Sequence, residues 1–270
     1  MKSLRSLLTF FYRDFAIESS YHIAFVFQLI EALFAVATFY YLSHFVDSPE
    51  LTRSLPVGQN YFSFALVGIA FFDYMSVSMN TFDQTIEEAR RNGTFEAMLV
   101  TDTSVPVILA GSALFPFVLF SLRTSIYLGW GLLFFGFPAG RANWIGAIVV
   151  LAASVLAFAG VGILSASYML LFMRGNPVKW LLLGISGVLG GMMYPVSVLP
   201  HWLQTLARLL PITYSLEGLR AALLGGAGFG ELWHSISALL LFAGVLLPVS
   251  WIIFSWALRR TKTLGTLTHF

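Results

Sequence analysis

The sequence predicts an all-α integral membrane protein: six transmembrane helices, an N-terminal interfacial amphipathic helix and a re-entrant helical hairpin between spans 5 and 6. Three observations predict it. The chain of 270 residues is 58% hydrophobic and only 10% charged, where a soluble domain carries about 25% charged residues; its mean hydropathy is +0.82. Long apolar runs alternate with turns rich in Gly, Pro and charge. One stretch, residues 190–220 (GGMMYPVSVLPHWLQTLARLLPITYSLEGLR), breaks that alternation with two short amphipathic segments, each opened by a proline.

Residues 1–20 place Leu4, Leu7, Leu8, Phe11, Tyr12 and Phe15 on one stripe, with Lys2, Arg5 and Arg13 elsewhere. This reads as a helix in the interface plane, its basic residues toward anionic headgroups. The other reading makes it the first turns of a longer span, which puts those charges at costly depth. No cleavable signal peptide is expected, since no continuous apolar core precedes a small-residue site. Span 1 covers about Tyr21–Phe45 and span 2 about Tyr61–Phe82, joined by a polar loop with Pro49 and Pro56.

The longest charged stretch follows, residues 83–104. Thr85–Arg91 reads as a short separate helix with Glu87 paired to Arg90 and Arg91, ended by Asn92-Gly93. Thr94 can cap a second short helix, with Glu96 in its first turn. Span 3 covers about Val105–Phe135, with Pro116 inside, and span 4 about Trp144–Met173. Arg174-Gly175-Asn176-Pro177 stops span 4. Span 5 covers about Val178–Tyr194; its Gly187 and Gly191 permit either close helix approach or a flexible lead into the hairpin. Span 6 covers about Trp233–Leu258.

The hairpin, residues 195–224, is the least ordinary stretch. His201, Gln204, Thr205 and Arg208 share one face of its first segment, and Thr213, Glu217 and Arg220 one face of the second. Glu217 and Arg220 stand at i, i+3, the spacing of an ion pair. Each segment has about 10–12 residues, roughly half a bilayer. Such a hairpin needs protein or a polar cavity to cover it.

Charge sets the orientation. Lys2, Arg5, Arg13, Arg90, Arg91, Arg174, Lys179, Arg259, Arg260 and Lys262 fall on the side of the termini, against Arg53, Arg141, Arg208 and Arg220 on the other. By the positive-inside rule both termini are cytoplasmic and the hairpin faces outward. Glu31, Asp73 and Arg123 lie within spans, where a lone charge costs about 2.5–3.5 kcal/mol. Glu31 and Asp73 read as comparable in depth, near the midplane, with Arg123 nearer the outer face. They read either as an interhelical ion pair that fixes packing or as contacts for a translocated substrate. Tyr40, Tyr41, Phe71 and Phe72 are read as interfacial aromatics or as the lining of a route.

The histidines His22, His44, His201 and His234 show no metal spacing, no nucleophile–base arrangement is present, and cysteine is absent. The basic residues are dispersed at loop ends, so nucleic acid is not an expected partner. No GxxxxGK[ST] occurs in these residues, so the chain has no phosphate cradle of that kind. It is expected to be no enzyme and to hold no metal or cofactor.

Two stretches carry a resemblance. EEARRNGTFEAMLVTDTSVPVILAG (residues 87–111) contains Gly93, Thr94 and Glu96, and MMYPVSVLPHWLQTLARLLPITYSLEGLR (residues 192–220) contains Pro195, Leu199, Pro200, Leu210, Pro211, Leu216 and Arg220. With the N-terminal helix, they resemble the permease subunit of the type-2 ABC exporter family over essentially the whole chain. Thr101-Asp102-Thr103-Ser104 departs from the family pattern, where a proline is common.

The resemblance implies a single permease domain, residues 1–270, in the plasma (inner) membrane. It implies a second permease copy and two separate ATP-binding cassette subunits, which hold the ATP and Mg²⁺. Residues 83–104 become a cytoplasmic coupling region, docked through Glu87, Glu88, Arg90, Arg91, Gly93, Thr94, Phe95 and Glu96. On chemistry alone the same charges are a solvated loop. The hairpin becomes an outer gate carried by Pro195, Leu199, Pro200, Pro211, Tyr214, Glu217 and Arg220; a passive lid is the plainer alternative. The cargo is then an amphiphilic, drug-like or lipid-linked molecule leaving the cytoplasm. An ion- or proton-coupled transporter without an ATPase, or a membrane scaffold, are the readings that need no resemblance.

Overall fold

Apolar length and polar caps set the architecture of the computed structural model, which describes residues 2–19, 22–46, 55, 60–91, 93, 105–172 and 176–263. Among these residues every regular element is helical: α1 (Lys2–Ser19), α2 (His22–Val46), α3 (Tyr61–Arg91), α4 (Val105–Phe135), α5 (Trp144–Phe172), α6 (Pro177–Leu189), α7 (His201–Ala207), α8 (Pro211–Leu223) and α9 (Phe229–Thr263). Short 3-10 turns lie at Ala139–Arg141 and Val196–Val198. Asparagine caps open three of the helices. Asn60 Oδ1 accepts from the Ser63 amide at 3.0 Å, Asn143 Oδ1 from Gly146 at 2.9 Å and Asn176 Oδ1 from Lys179 at 3.0 Å.

Among the described residues five helices are long and apolar enough to cross a membrane: Val26–Phe45, Tyr61–Ala89, Val107–Phe134, Trp144–Phe172 and Phe229–Thr261. The expected sixth differs. α6 has 13 residues, about 20 Å of helix, short of a hydrocarbon core of about 30 Å. Its apolar composition runs on toward Tyr194, but Gly190 caps it and Gly191 turns the chain at φ 79°, a conformation glycine adopts without steric cost.

The span 2 boundary also moves. α3 continues to Arg91 as one helix, with no separate segment from Thr85. Nothing between Phe82 and Arg91 breaks it. Ile86 and Ala89 stay buried on its apolar face, and the Thr85 hydroxyl donates to the Thr81 carbonyl at 2.8 Å. The first hairpin helix is shorter than expected, 7 residues. Its end tightens into successive bonds from Leu209 to Leu206 and from Leu210 to Ala207, ahead of Pro211.

α5 is the spine. It packs against α9 along its length and against α3 and α8. Small residues make that possible: Ala153, Ala157 and Ala166 are buried, and Gly160 lies against the backbone of Leu246 and Leu247. A Cβ on Gly162 would stand 2.6 Å from the Ser78 carbonyl oxygen. Around this seam one core gathers side chains of α2, α3, α4, α5, α8 and α9, with Tyr74, Phe158, Ile212, Leu216 and Leu232 at its centre. A second cluster, with Phe82, Ile86, Leu170 and Phe254, closes the other end of α3 and α5. α1 lies along α4, where Phe11 and Phe15 meet the Phe115 ring edge-on at 5.6 and 6.4 Å.

Gly162→Val tests the seam. It should lower the melting temperature in detergent by about 5 °C or more, since the α3 backbone faces the new methyls. Scanning fluorimetry would measure it, and an unchanged melting temperature would mean that α3 and α5 do not meet at Gly162.

Candidate functional site

The hairpin is anchored by a single buried cation. α8 presents Arg220 inward, 5% exposed. Its Nε donates to the Phe64 carbonyl at 3.1 Å, Nη1 to Gly191 at 2.6 Å and Nη2 to Met192 at 2.7 Å. The guanidinium carbon sits 3.4 Å from the centroid of the Phe64 ring. Gly68 makes room, because a Cβ there would collide with the Met192 carbonyl and come within 2.6 Å of Nη2. Burial pulls the guanidinium down to about 9, against the opposing pull of Glu217 and Tyr61, so it remains a cation at neutral pH.

The expected Glu217–Arg220 pair is therefore not formed. Arg220 spends its donors on carbonyls, three of its five N–H groups being placed, while Glu217 is exposed on the next turn. Thr213 turns inward too: its hydroxyl donates to the Ala207 carbonyl at 2.7 Å, tying α8 to α7. Pro195 opens the turn before α7 and Pro200 is the N-cap of α7. The Leu199 carbonyl accepts from Gln204 Nε2 at 2.8 Å. Pro211 is the first residue of α8. Tyr214 meets His234 and Phe242 of α9, both at 5.9 Å. Behind the hairpin, Phe64, Gly191, Pro195, Thr213, Glu217, Arg220 and Glu231 are among the residues lining a cavity of about 470 Å³.

Three further contacts, none expected from the sequence, join the hairpin and the turn after it to α5 and its cap Asn143. Ser154 Oγ donates to Ser215 Oγ at 2.8 Å. The Asn143 amide donates to Ala222 at 2.9 Å, and Asn143 Nδ2 to Ala227 at 2.8 Å.

Of the intramembrane charges, Arg123 Nη2 pairs with Glu31 Oε1 at 3.0 Å and also donates to the Tyr127 hydroxyl at 3.2 Å. This links α2 to α4 and sets Arg123 level with Glu31 rather than nearer one face. Asp73 lies within electrostatic reach of both and forms no ion pair within 4.0 Å among the described residues.

In the charged stretch, Arg91 pairs with Glu87 at 2.6 Å, as the i, i+4 spacing predicts. Glu88 is exposed and Gly93 has φ 65°. The Arg90 side chain and Thr94, Phe95 and Glu96 lie outside the described residues. A polar cluster that the sequence did not single out stands at the start of this stretch. Asp83 is buried in α3 and accepts from Asn176 Nδ2 at 3.0 Å and Lys179 Nζ at 3.3 Å. Asn176 Nδ2 also faces Ser165 of α5 at 2.8 Å. The Asn-Pro cap at 176–177 was the only signal toward it. Among the described residues, no group of three or more His, Asp or Glu is placed to hold a metal ion.

Comparison with known proteins sets this arrangement in a family. Residues 5–224 match the ABC-2 type transporter family, a span that contains the charged stretch, the short α6 and the whole hairpin. The chain belongs to the ABC-2 type transporter family. Relatives include the linearmycin resistance permease protein LnrN of Bacillus subtilis, 28% identical over 166 residues, 60% of this chain and 41% of that protein. Nodulation protein J of Sinorhizobium fredii is 27% identical over 190 residues, 69% of this chain and 70% of that protein. The chain thus spans under half the length of the first and most of the second. In ABC-2 terms, the Arg220 anchor, the polar cluster at Asp83 and the Glu87–Arg91 turn all fall inside the family match.

Arg220→Ala should destabilise the protein by about 3–5 kcal/mol, because three carbonyls lose a buried charged donor; loss of the monodisperse peak in detergent would report it. Glu217→Ala should leave the peak and the melting temperature unchanged. Equal behaviour of the two variants would remove the anchor role of Arg220. Exchanging charges at Glu31 and Arg123 should restore the stability that Arg123→Glu alone removes, read by the same thermal assay.

Proposed function

We propose that this chain is the membrane-spanning subunit of an ATP-driven exporter, powered by a separate ATP-binding cassette subunit. The observation that carries the reading is the ABC-2 family match over residues 5–224. The chain is multi-pass in the plasma (inner) membrane, with both termini cytoplasmic. Two copies work with two ATP-binding subunits, each of which supplies ATP and Mg²⁺. α6, continued by Gly190–Tyr194, completes the sixth crossing, and α1 lies in the interface beside α4.

The charged end of α3 and the residues after it, Glu87, Glu88, Arg90, Arg91, Gly93, Thr94, Phe95 and Glu96, receive the push of the nucleotide subunits. The Glu87–Arg91 pair holds the last turn of that helix in shape. The hairpin α7–α8 is the outer gate. Its cavity of about 470 Å³, lined by apolar residues together with Glu217, Arg220 and Glu231, has the size of a small-molecule pocket and suits an amphiphilic, drug-like or lipid-linked cargo. Glu31 and Arg123 neutralise each other in the span region and serve packing.

Purification of the tagged chain from detergent extract, followed by an ATPase assay on the eluate, tests the reading. A soluble ATPase should co-purify and should be lost when Arg91 and Glu96 are reversed in charge. A chain that elutes alone, without ATPase activity, would favour an ion- or proton-coupled transporter instead.

A further inference from the structure

α6 carries a polar tie to α3 at each end. Its outward stripe, Trp180, Leu181, Ile185 and Val188, is exposed, while Leu182 and Leu183 pack on the main core and Gly187, near its C-terminal end, faces the Phe72 ring of α3. At one end the carbonyls of Gly191 and Met192, just past its cap, are bonded to Arg220, which also holds Phe64 of α3. At the other end Lys179 and the capping Asn176 both meet Asp83, again of α3. Phe64 and Asp83 are about 28 Å apart along one helix. α6 therefore lies antiparallel to α3 and is clasped to it at both ends by polar groups.

The two clasps are unequal. Arg220 has three carbonyl partners and an aromatic ring beneath it. Asp83 holds both of its donors on one oxygen, Oδ2. Its Oδ1 is buried and has no hydrogen-bond partner. Lys179 keeps its side chain partly in contact with the surroundings, 18% exposed against 4% for Asp83. One to two turns further along α3 comes the Glu87–Arg91 pair. A displacement of that end of α3 reaches the Asp83 clasp first, and the Arg220 clasp holds the far end of α6 as a pivot beside the hairpin.

We propose that Asp83 is a positioning residue that fixes the Lys179 end of α6 and releases it when the charged end of α3 is moved. The clasp stands on the geometry alone; its link to nucleotide rests on the exporter reading above. Opening it would expose Ser165, which is 1% exposed and accepts from Asn176 Nδ2 at 2.8 Å.

The chain has no cysteine, so Ser165→Cys gives a single thiol reporter, and Ser154→Cys, on the same helix and 0% exposed, gives a control. Each is read by the rate of labelling with a water-soluble maleimide on the full chain in nanodiscs. Asp83→Asn should raise labelling at position 165 about tenfold or more and leave position 154 protected. Exchanging the charges, with Asp83→Lys and Lys179→Asp together, should return position 165 to protection. Labelling unchanged at 165 would overturn the clasp. Labelling raised equally at 165 and 154 would make Asp83 a general fold residue and overturn the proposal as well. With the ATP-binding subunit bound, ATP and vanadate should change the rate at 165 and not at 154; a constant rate would overturn release by nucleotide. A chain that recruits no ATPase would remove the exporter reading, and the Asp83→Asn comparison would still decide the clasp.

Discussion

Everything on the hairpin side of the molecule depends on one guanidinium taken out of water. A buried cation needs its charge answered, and a carboxylate is the common answer. Here backbone carbonyls answer it. Two belong to the residues just past the end of α6, and one to the first turn of α3. Helix ends expose carbonyls that need donors. Arg220 therefore solves two problems with one set of bonds: its own desolvation and the chain break at Gly190–Met192. Without that break α6 would run on toward Tyr194, and the cavity behind the hairpin would lose its wall at Gly191. The glycine at position 68 is the silent partner, since any side chain there pushes Met192 off the arginine.

Two other charged contacts follow a different rule. Arg123 with Glu31 and Lys179 with Asp83 each join a cation to an anion on another helix. Each pair costs desolvation on both sides, so neither is a large source of stability; what each supplies is register between the helices that carry it. The apolar seam along α5 supplies the bulk of the contact. Its small residues bring α3 and α9 within backbone distance at Gly160 and Gly162, and the polar pairs set α2 against α4 and α6 against α3.

Much of this was legible from residue order alone. Composition and apolar length identified the membrane class and located four of the long helices closely, including Val105–Phe135 with its internal proline. The stop read at residues 174–177 placed the start of α6 to within a residue, and Pro211 placed that of α8. What stayed hidden depends on distant partners. Glu217 at i−3 is the obvious mate for Arg220, and nothing local says that the side chain turns to carbonyls elsewhere. Gly190 and Gly191 are compatible with a helix that continues and with one that stops, so the sequence carried span 5 on to Tyr194 where the helix ends at Leu189. Asp83 reads as the first charge of a polar loop; only the continuation of α3 through Ile86 and Ala89 buries it. Glu87 with Arg91 was found because its partner is four residues away.

The separation of Arg220 from Phe64, 156 positions along the chain, has a consequence for biogenesis. A ribosome adds roughly 5–20 residues per second, so α3 is made and inserted several seconds before α8 leaves the exit tunnel. For that interval the Phe64 carbonyl has no arginine, and α6, made shortly before α8, is too short to settle across the bilayer by itself. The bond from Arg220 to Phe64 thus closes late. Until it does, the nascent chain is a set of long helices awaiting its final segment, a state suited to recognition by insertion and quality-control machinery.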